Sequence, residues 1–302
     1  MKKEKDIRVE MIRMEGDVAP FVQVEYMDKN AHEHTGLLLL DSGSTVNLLS
    51  SEMARHIGEL CLLEDEYTEV SSITPNKKDF DNVRFSFALG GKVFKDTFCL
   101  CDKPMLIDVK DMEVIGLVGT KFLRDYHLVI DYGDFTLHSS HVNPDNLAIA
   151  DCDFFFPMEI GLKYYQLPVL SVKQKGKDLV ALLDTGSADN AIAKQTLTEN
   201  EFKCQYLKEK GIMETLTGEV CVDSALASFN MLSLEEDGIR EILGYDKFKV
   251  LPHYIYPSHT FEGEAGEEQV PPIELLIGAA FMASEGWSLD FGAQVIYRLK
   301  VA

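Results

Sequence analysis

Two aspartates in this chain stand at the end of nearly the same phrase. Leu37 to Ser44 reads L-L-L-L-D-S-G-S, and Leu179 to Ser187 reads L-V-A-L-L-D-T-G-S. In each, an apolar run delivers a carboxylate, Asp41 or Asp184, into a turn of Gly and small hydroxyl residues. An apolar run ended by a Gly turn reads as an interior strand. A carboxylate at the end of such a strand is costly near a core unless it is hydrogen-bonded or functional. Two carboxylates a few ångströms apart cannot both ionise comfortably, so they share a proton and titrate as a pair. The ionised member then serves as general base toward a water and the protonated member as general acid. Water is the nucleophile in such chemistry, so no Ser or Cys is required.

The elements that must bring the two together are also written twice. After the first turn come Leu117-Val118-Gly119-Thr120-Lys121-Phe122-Leu123 and Leu128-Val129-Ile130-Asp131-Tyr132-Gly133. After the second come Leu276-Ile277-Gly278-Ala279-Ala280-Phe281-Met282 and Trp287-Ser288-Leu289-Asp290-Phe291-Gly292, with the same spacing from Gly to Asp. Upstream, Pro20 to Val24 matches Pro168 to Val172. Order and spacing together indicate an internal duplication. A chain of 302 residues suits two units. The expected division is 1–150, carrying Asp41 and the linker, and 151–302, carrying Asp184. Ser139 to Asp153 is the least patterned stretch and the candidate linker.

Hydrophobic-hydrophobic-Asp-Ser/Thr-Gly-Ser followed much later by hydrophobic-hydrophobic-Gly, present in each half, resembles the aspartic protease pattern of pepsin-like enzymes and retropepsins. Phe122 to Tyr126 also resembles a pepsin-family segment. The resemblance implies an all-β, two-lobed pepsin-like fold with a pseudo-two-fold axis and a few short helices. It further implies an aspartic endopeptidase with Asp41 and Asp184 as the catalytic dyad, acting as a monomer on a peptide or protein substrate, without metal or organic cofactor. By the same resemblance Ser42 and Thr185 tie the two turns together, Gly43 and Gly186 shape them, and Gly119 and Gly278 lie beneath them. In pepsin-like relatives a hydroxyl after each catalytic Gly, here Ser44 and Ser187, donates to the carboxylate, which implies an optimum on the acidic side of neutral. Retropepsins commonly pair an Asp beyond the turn with an Arg after the later glycine. The neighbourhoods here, Ser44-Thr45-Val46 with Gly119-Thr120-Lys121 and Ser187-Ala188-Asp189 with Gly278-Ala279-Ala280, lack that pair.

Composition bounds the rest. The formal charge of −21 disfavours nucleic acid and anionic membrane as partners, and no long apolar run spans a membrane. Met1 to Arg8 has no apolar signal region, so a cytoplasmic location is expected. The six cysteines are sparse, and Cys99 and Cys101 fall on one face of a strand, as reduced core thiols do. His32 and His34 lack a third ligand in spacing and read as loop residues, as do His138 and His141.

Ser50 to Gly58 carries a helix with its stop, Gln195 to Tyr206 a second, and Asp237 to Leu243 a third. Phe85 to Leu89, Gly90-Gly91 and Val93 to Leu100 form a hairpin. Val70 to Lys77 stands where a flap would cover the cleft, with Ser72, Ile73 and Thr74 as candidate residues. Leu216 and Thr217 are the second half's counterpart. The extra length of the second half falls near 232–272. Two non-enzymatic readings compete: a catalytically lapsed module holding an extended peptide by strand addition, and a structural protein binding Ca²⁺. Glu262 to Glu268 lacks the regular ligand spacing that the last would need.

Overall fold

Alternating or continuous apolar runs broken by Gly and Asx turns make this chain a strand former, and hydrogen-bonded sheets hold most of the described residues. The computed structural model describes residues 6–13, 18–57, 61–71, 77–102, 112–141, 152–174, 177–199, 204–215, 218–235, 238–263 and 266–299.

Strand β1 is Arg8–Glu10. The first half then builds β2 (Phe21–Met27), β3 (Glu33–Asp41), β4 (Leu48–Ser50), β5 (Cys61–Ser71), β6 (Lys77–Leu89), β7 (Lys92–Cys101) and β8 (Val114–Gly119). Strands β9 (Leu128–Asp131), β10 (Thr136–Ser139) and β11 (Cys152–Pro157) follow. The second half adds β12 (Val169–Gln174), β13 (Lys177–Asp184), β14 (Asn190–Ala193), β15 (Cys204–Thr215), β16 (Gly218–Glu235) and β17 (Gly238–Leu251). It ends with β18 (His259–Gly263), β19 (Gly266–Val270), β20 (Ile273–Gly278), β21 (Ser288–Asp290) and β22 (Val295–Leu299). Among the described residues, four short α-helices are α1 (Ser51–Ala54), α2 (Thr120–Asp125), α3 (Lys194–Glu199) and α4 (Ala279–Ser284).

The duplication is topological. One seven-stranded sheet runs β2-β3-β8-β4-β7-β6-β5, and the other runs β12-β13-β20-β14-β17-β16-β15. Strand for strand, the orders match. In each, the Asp-bearing strand lies parallel to the Gly-bearing one, with Asp41 opposite Gly119 and Asp184 opposite Gly278. A register shift interrupts both pairs, at Leu37/Leu38 and at Val180/Ala181. A third sheet, β1-β10-β9-β21-β22-β11, joins the halves where β9 meets β21 antiparallel.

The core follows from these sheets. Leu37, Leu38, Leu40, Leu179, Leu182 and Leu183 are buried beneath the two turns. Phe85, Phe87, Phe94, Phe98 and Phe122 interlock in the first half at centroid distances of 5.3 to 6.1 Å, a spacing at which aromatic pairs attract beyond simple burial. Gly90 and Gly91 turn the β6–β7 hairpin with φ of 60° and 73°, as a two-residue hairpin turn of that kind requires.

Two helix expectations change. Helix α3 stops at Glu199, and the chain from Cys204 is strand β15. The stretch expected to be helical from Asp237 to Leu243 is strand β17 from Gly238 onward. Its apolar residues Ile239, Ile242 and Leu243 have helical spacing, but an unbroken antiparallel ladder from Asp223↔Val250 to Glu235↔Gly238 satisfies the backbone as a sheet. Tertiary pairing overrides the local pattern. Much of the second half's extra length is this hairpin, with strands of 18 and 14 residues against 13 and 10 for β6 and β7. The separate β18–β19 hairpin supplies more.

Candidate active site

Each Asp ends a buried strand and enters a turn that its own carboxylate helps close. Gly43 N–H donates to Asp41 Oδ1 at 2.9 Å. Gly186 N–H and Ser187 N–H donate to Asp184 Oδ1 at 3.0 and 3.1 Å. The turns then lock to one another by exchange. Ser42 N–H donates to Thr185 Oγ1 and Thr185 N–H to Ser42 Oγ, each at 2.9 Å. Ser42 Oγ donates onward to the Leu183 carbonyl at 2.7 Å, and Thr185 Oγ1 to the Leu40 carbonyl at 2.5 Å. Both side chains are fully buried, so this four-bond ring crosses between the halves without competition from water.

The ring sets the carboxyl groups face to face, and Asp41 and Asp184 are hydrogen-bonded to each other. Glycine is required on both sides by this approach. A Cβ at Gly43 would lie 2.5 and 2.6 Å from the two carboxyl oxygens of Asp184, and one at Gly186 would lie 2.5 and 2.9 Å from those of Asp41. Beneath the turns, a Cβ at Gly119 would meet the Ser44 and Val46 carbonyls at 2.5 and 2.6 Å, and one at Gly278 would meet the Asp189 and Ser187 carbonyls at 2.5 and 2.8 Å.

The carboxyls are partly open to solvent yet closely surrounded by protein. Burial pushes Asp41 well above the usual carboxylate range, and the charge of Asp184 pushes it the same way against the N–H groups of Gly43 and Ser44. Burial also raises Asp184, but the N–H of Gly186, the hydrogen bond from Asp41 and the N–H of Ser187 oppose it. The two carboxyls therefore share a proton and titrate as a pair.

One expectation about the turns is overturned. The hydroxyls of Ser44 and Ser187 do not reach the carboxylates. Ser44 Oγ donates to the Val46 carbonyl at 2.8 Å and Ser187 Oγ to the Asp189 carbonyl at 3.0 Å. Each hydroxyl proton is engaged by its own loop, and these side chains brace the turn instead of lowering a carboxylate pKa.

Two residues that the sequence reading passed over complete the frame. Asn47 Oδ1 accepts from Gly119 N–H at 2.9 Å, and Asn190 Oδ1 from Gly278 N–H at 2.8 Å. Both stand six residues after their Asp, so extending the repeat comparison past the turn would have found them. Thr120 adds a bond present on one side only, its Oγ1 donating to the Ser42 carbonyl at 2.6 Å; Ala279 occupies the matching place.

No family model matches the sequence, and no curated protein does. Solved structures do match. Conglutin gamma, a basic 7S globulin from lupine seeds, aligns over 99% of this chain and 96% of its own with a TM-score of 0.53 at 10% identity. Basic 7S globulin from soybean aligns over 97% and 96% with a TM-score of 0.48, also at 10% identity. The fold is pepsin-like. A likeness at this identity concerns the backbone alone.

The candidate flap residues Ser72, Ile73, Thr74, Leu216 and Thr217 lie outside the described residues. The strands leading to both places, β5 with β6 and β15 with β16, pair as antiparallel hairpins. His32 and His34 both contact the Asp28 carboxylate, at 3.3 and 3.1 Å. Hydrogen bonding from the His32 N–H holds Asp28 below the usual carboxylate range. Among the described residues no group of three His, Cys, Asp or Glu side chains is placed to hold a metal ion. Among the described residues, Cys99, Cys101, Cys152, Cys204 and Cys221 form no disulfide.

Proposed function

We propose that this chain is an aspartic peptidase that hydrolyses peptide bonds with a water activated between Asp41 and Asp184. The carrying observation is the direct contact of two carboxyls, each on the end of a duplicated strand and each pushed upward in pKa. The ionised member of the pair takes a proton from water as the oxygen attacks the carbonyl carbon. The protonated member delivers its proton to the carbonyl oxygen, so the tetrahedral species forms without separated charge. As the C–N bond breaks, the nitrogen takes the proton that came from water while a hydroxyl of the tetrahedral species returns its proton to the other carboxylate, which restores the pair. Both carboxylates come from one chain, so the active species is a monomer and specific activity is unchanged on dilution. Among the described residues no helix is long and apolar enough to cross a membrane.

A second reading is favoured by the comparisons. The pepsin-like fold is shared with proteins described as seed globulins and not as enzymes, so a cleft of this shape does not by itself entail cleavage. On that reading the chain holds an extended peptide and leaves it intact. A broad peptide-library digest over acid to neutral pH, paired with calorimetric titration of a statine-containing peptide, separates the two. Cleavage together with statine binding supports the peptidase. Binding without cleavage at any pH supports the binding module.

A further inference from the structure

We propose that Thr120, the first residue of α2, is a positioning residue for the dyad: its hydroxyl fixes and polarises the peptide group whose N–H binds the Asp41 carboxyl. This inference rests on the reading of Asp41 and Asp184 as the working pair, and it adds a residue that sets the pH at which that pair ionises.

Thr120 grips the first turn at two points. Its N–H donates to the Ser44 carbonyl at 2.8 Å, and its Oγ1 donates to the Ser42 carbonyl at 2.6 Å. The backbone fixes its place, since Gly119, the residue before it, lies opposite Asp41 in the β3–β8 pairing. Thr120 and Ser42 are both fully buried, so water does not compete for the hydroxyl proton. The second turn repeats the first contact and not the second. Ala279 N–H donates to the Ser187 carbonyl at 2.7 Å, and its methyl side chain brings no hydroxyl to the Thr185 carbonyl. The Thr120 hydroxyl bond is therefore not needed to close a turn of this kind.

The bond reaches the carboxyl through a single amide. The Ser42 carbonyl and the Gly43 N–H are the two ends of one planar peptide group. That N–H donates to Asp41 Oδ1 at 2.9 Å. A donor on the carbonyl side draws electron density along the amide and makes its N–H the stronger donor, by about 10 to 30% of a bond. It also holds the peptide plane, so the N–H stays aimed at the carboxyl. A hydrogen bond to the charged form of a carboxyl favours ionisation. The relay from the Thr120 hydroxyl through the Ser42–Gly43 amide therefore opposes the upward push that burial gives Asp41.

The titratable groups around this relay do not duplicate its effect. Asp184, in the facing turn, is in contact with Asp41 and shares its proton. Burial and the charges of both carboxyls push the Tyr256 phenol up to about 12, so it stays neutral where the dyad titrates. On α2 itself, Lys121 and Arg124 pair with Asp125. At the end of the second turn, Asp189 pairs with Lys249 at 3.4 Å. Thr120 carries no charge, so it biases the dyad without a titration of its own. Because the two carboxyls are coupled, a better donor to Asp41 moves the ionisation of the pair as a whole.

The test compares the native chain with Thr120→Ala, which copies the second half's residue, Thr120→Val, which keeps the branched shape, and Thr120→Ser, which keeps the hydroxyl. One readout is the acid limb of the kcat/KM profile on peptides that the native chain cuts. The other needs no turnover: the titration midpoint of the Asp41 carboxyl carbon by NMR, assigned with Asp41→Asn. Both variants without the hydroxyl should move limb and midpoint to higher pH by about 0.3 units, so that kcat/KM on the limb falls about twofold. Thr120→Ser should restore both. A bracing role alone would lower the melting temperature and move neither. Limb and midpoint unmoved in the Ala and Val variants, or moved equally in Thr120→Ser, would overturn the inference and leave the peptidase intact. A native chain that cuts no peptide, with a midpoint that rises in Thr120→Ala and Thr120→Val, overturns the peptidase and sustains the inference. No cleavage and no movement of the midpoint overturns both.

Discussion

The duplication has produced two carboxylate pairs in this molecule, and they have opposite characters. Asp41 and Asp184 face each other across the turns, with their carboxyls in contact. Asp131 and Asp290 come from the second part of the same repeat and sit in the sheet that joins the halves, offset across the β9–β21 pairing. There, each carboxylate is satisfied separately. Asp131 accepts from Gly133 N–H at 2.9 Å and Ser288 Oγ at 3.1 Å. Asp290, fully buried, accepts from Ser140 Oγ at 2.6 Å and Ala293 N–H at 2.8 Å. Burial raises Asp290, while those donors pull it back. A buried acid with its own donors is a structural fastening. An acid that faces a second acid at close range shares a proton with it. Residue type and repetition are common to both pairs; only the partner differs.

The sharpest way to break this comparison is to truncate the interior pair. Asp290→Ala leaves the Ser140 hydroxyl and the Ala293 N–H without an acceptor in a closed interior and should cost about 3 kcal/mol in denaturant unfolding. Activity should fall only as far as the folded fraction does. Stability within a few tenths of a kcal/mol of native would mean that this pair does not fasten the halves.

Somewhat smaller is the expected cost at the ring between the turns. Thr185→Ala removes the acceptor for Ser42 N–H and the donor to the Leu40 carbonyl, and should cost about 2 kcal/mol. Thr185→Ser can remake both bonds and should recover most of it. Equal losses in the two variants would shift the role from the hydroxyl to the methyl group.

Smaller again, and opposite in sign, is the effect of Asp41→Asn on stability. The folded-state pKa of Asp41 lies above its unfolded value. Its favourable contribution is therefore complete below the unfolded pKa and lost as pH rises through the folded one. At neutral pH the Asn variant should melt higher than the native chain, and the difference should shrink or reverse in acid. Melting curves across that range check it; a gap independent of pH would show that Asp41 is not perturbed.

The smallest effect belongs to Ser44 and Ser187. Their hydroxyls bond to loop carbonyls, so replacing both by Ala should leave the acid limb of the kcat/KM profile where it was. A shift of that limb would mean that the hydroxyls turn to the carboxylates when substrate is bound.

The dyad was legible in the sequence because it is written in short, local and repeated signs. Asp41, Gly43, Ser42 and their partners in the second half fall on one strand end each, and the repeat supplies the other. Asn47 and Asn190 carried the same sign at equal spacing and needed only a longer comparison. The β17 strand was hidden because Ile239, Ile242 and Leu243 fit a helix, and what decides against it is pairing with residues far along the chain. The junction of β9 with β21 depends on contacts between the halves, which no local pattern records.

The measurement closest to the central claim is cleavage of a peptide library by the native chain and by Asp41→Asn and Asp184→Asn, with folding verified by circular dichroism. Neither carboxyl can be base and acid at once, so each substitution should lower the rate by about a thousandfold or more with the fold retained. Cleavage persisting near the native rate in either folded variant would contradict the account.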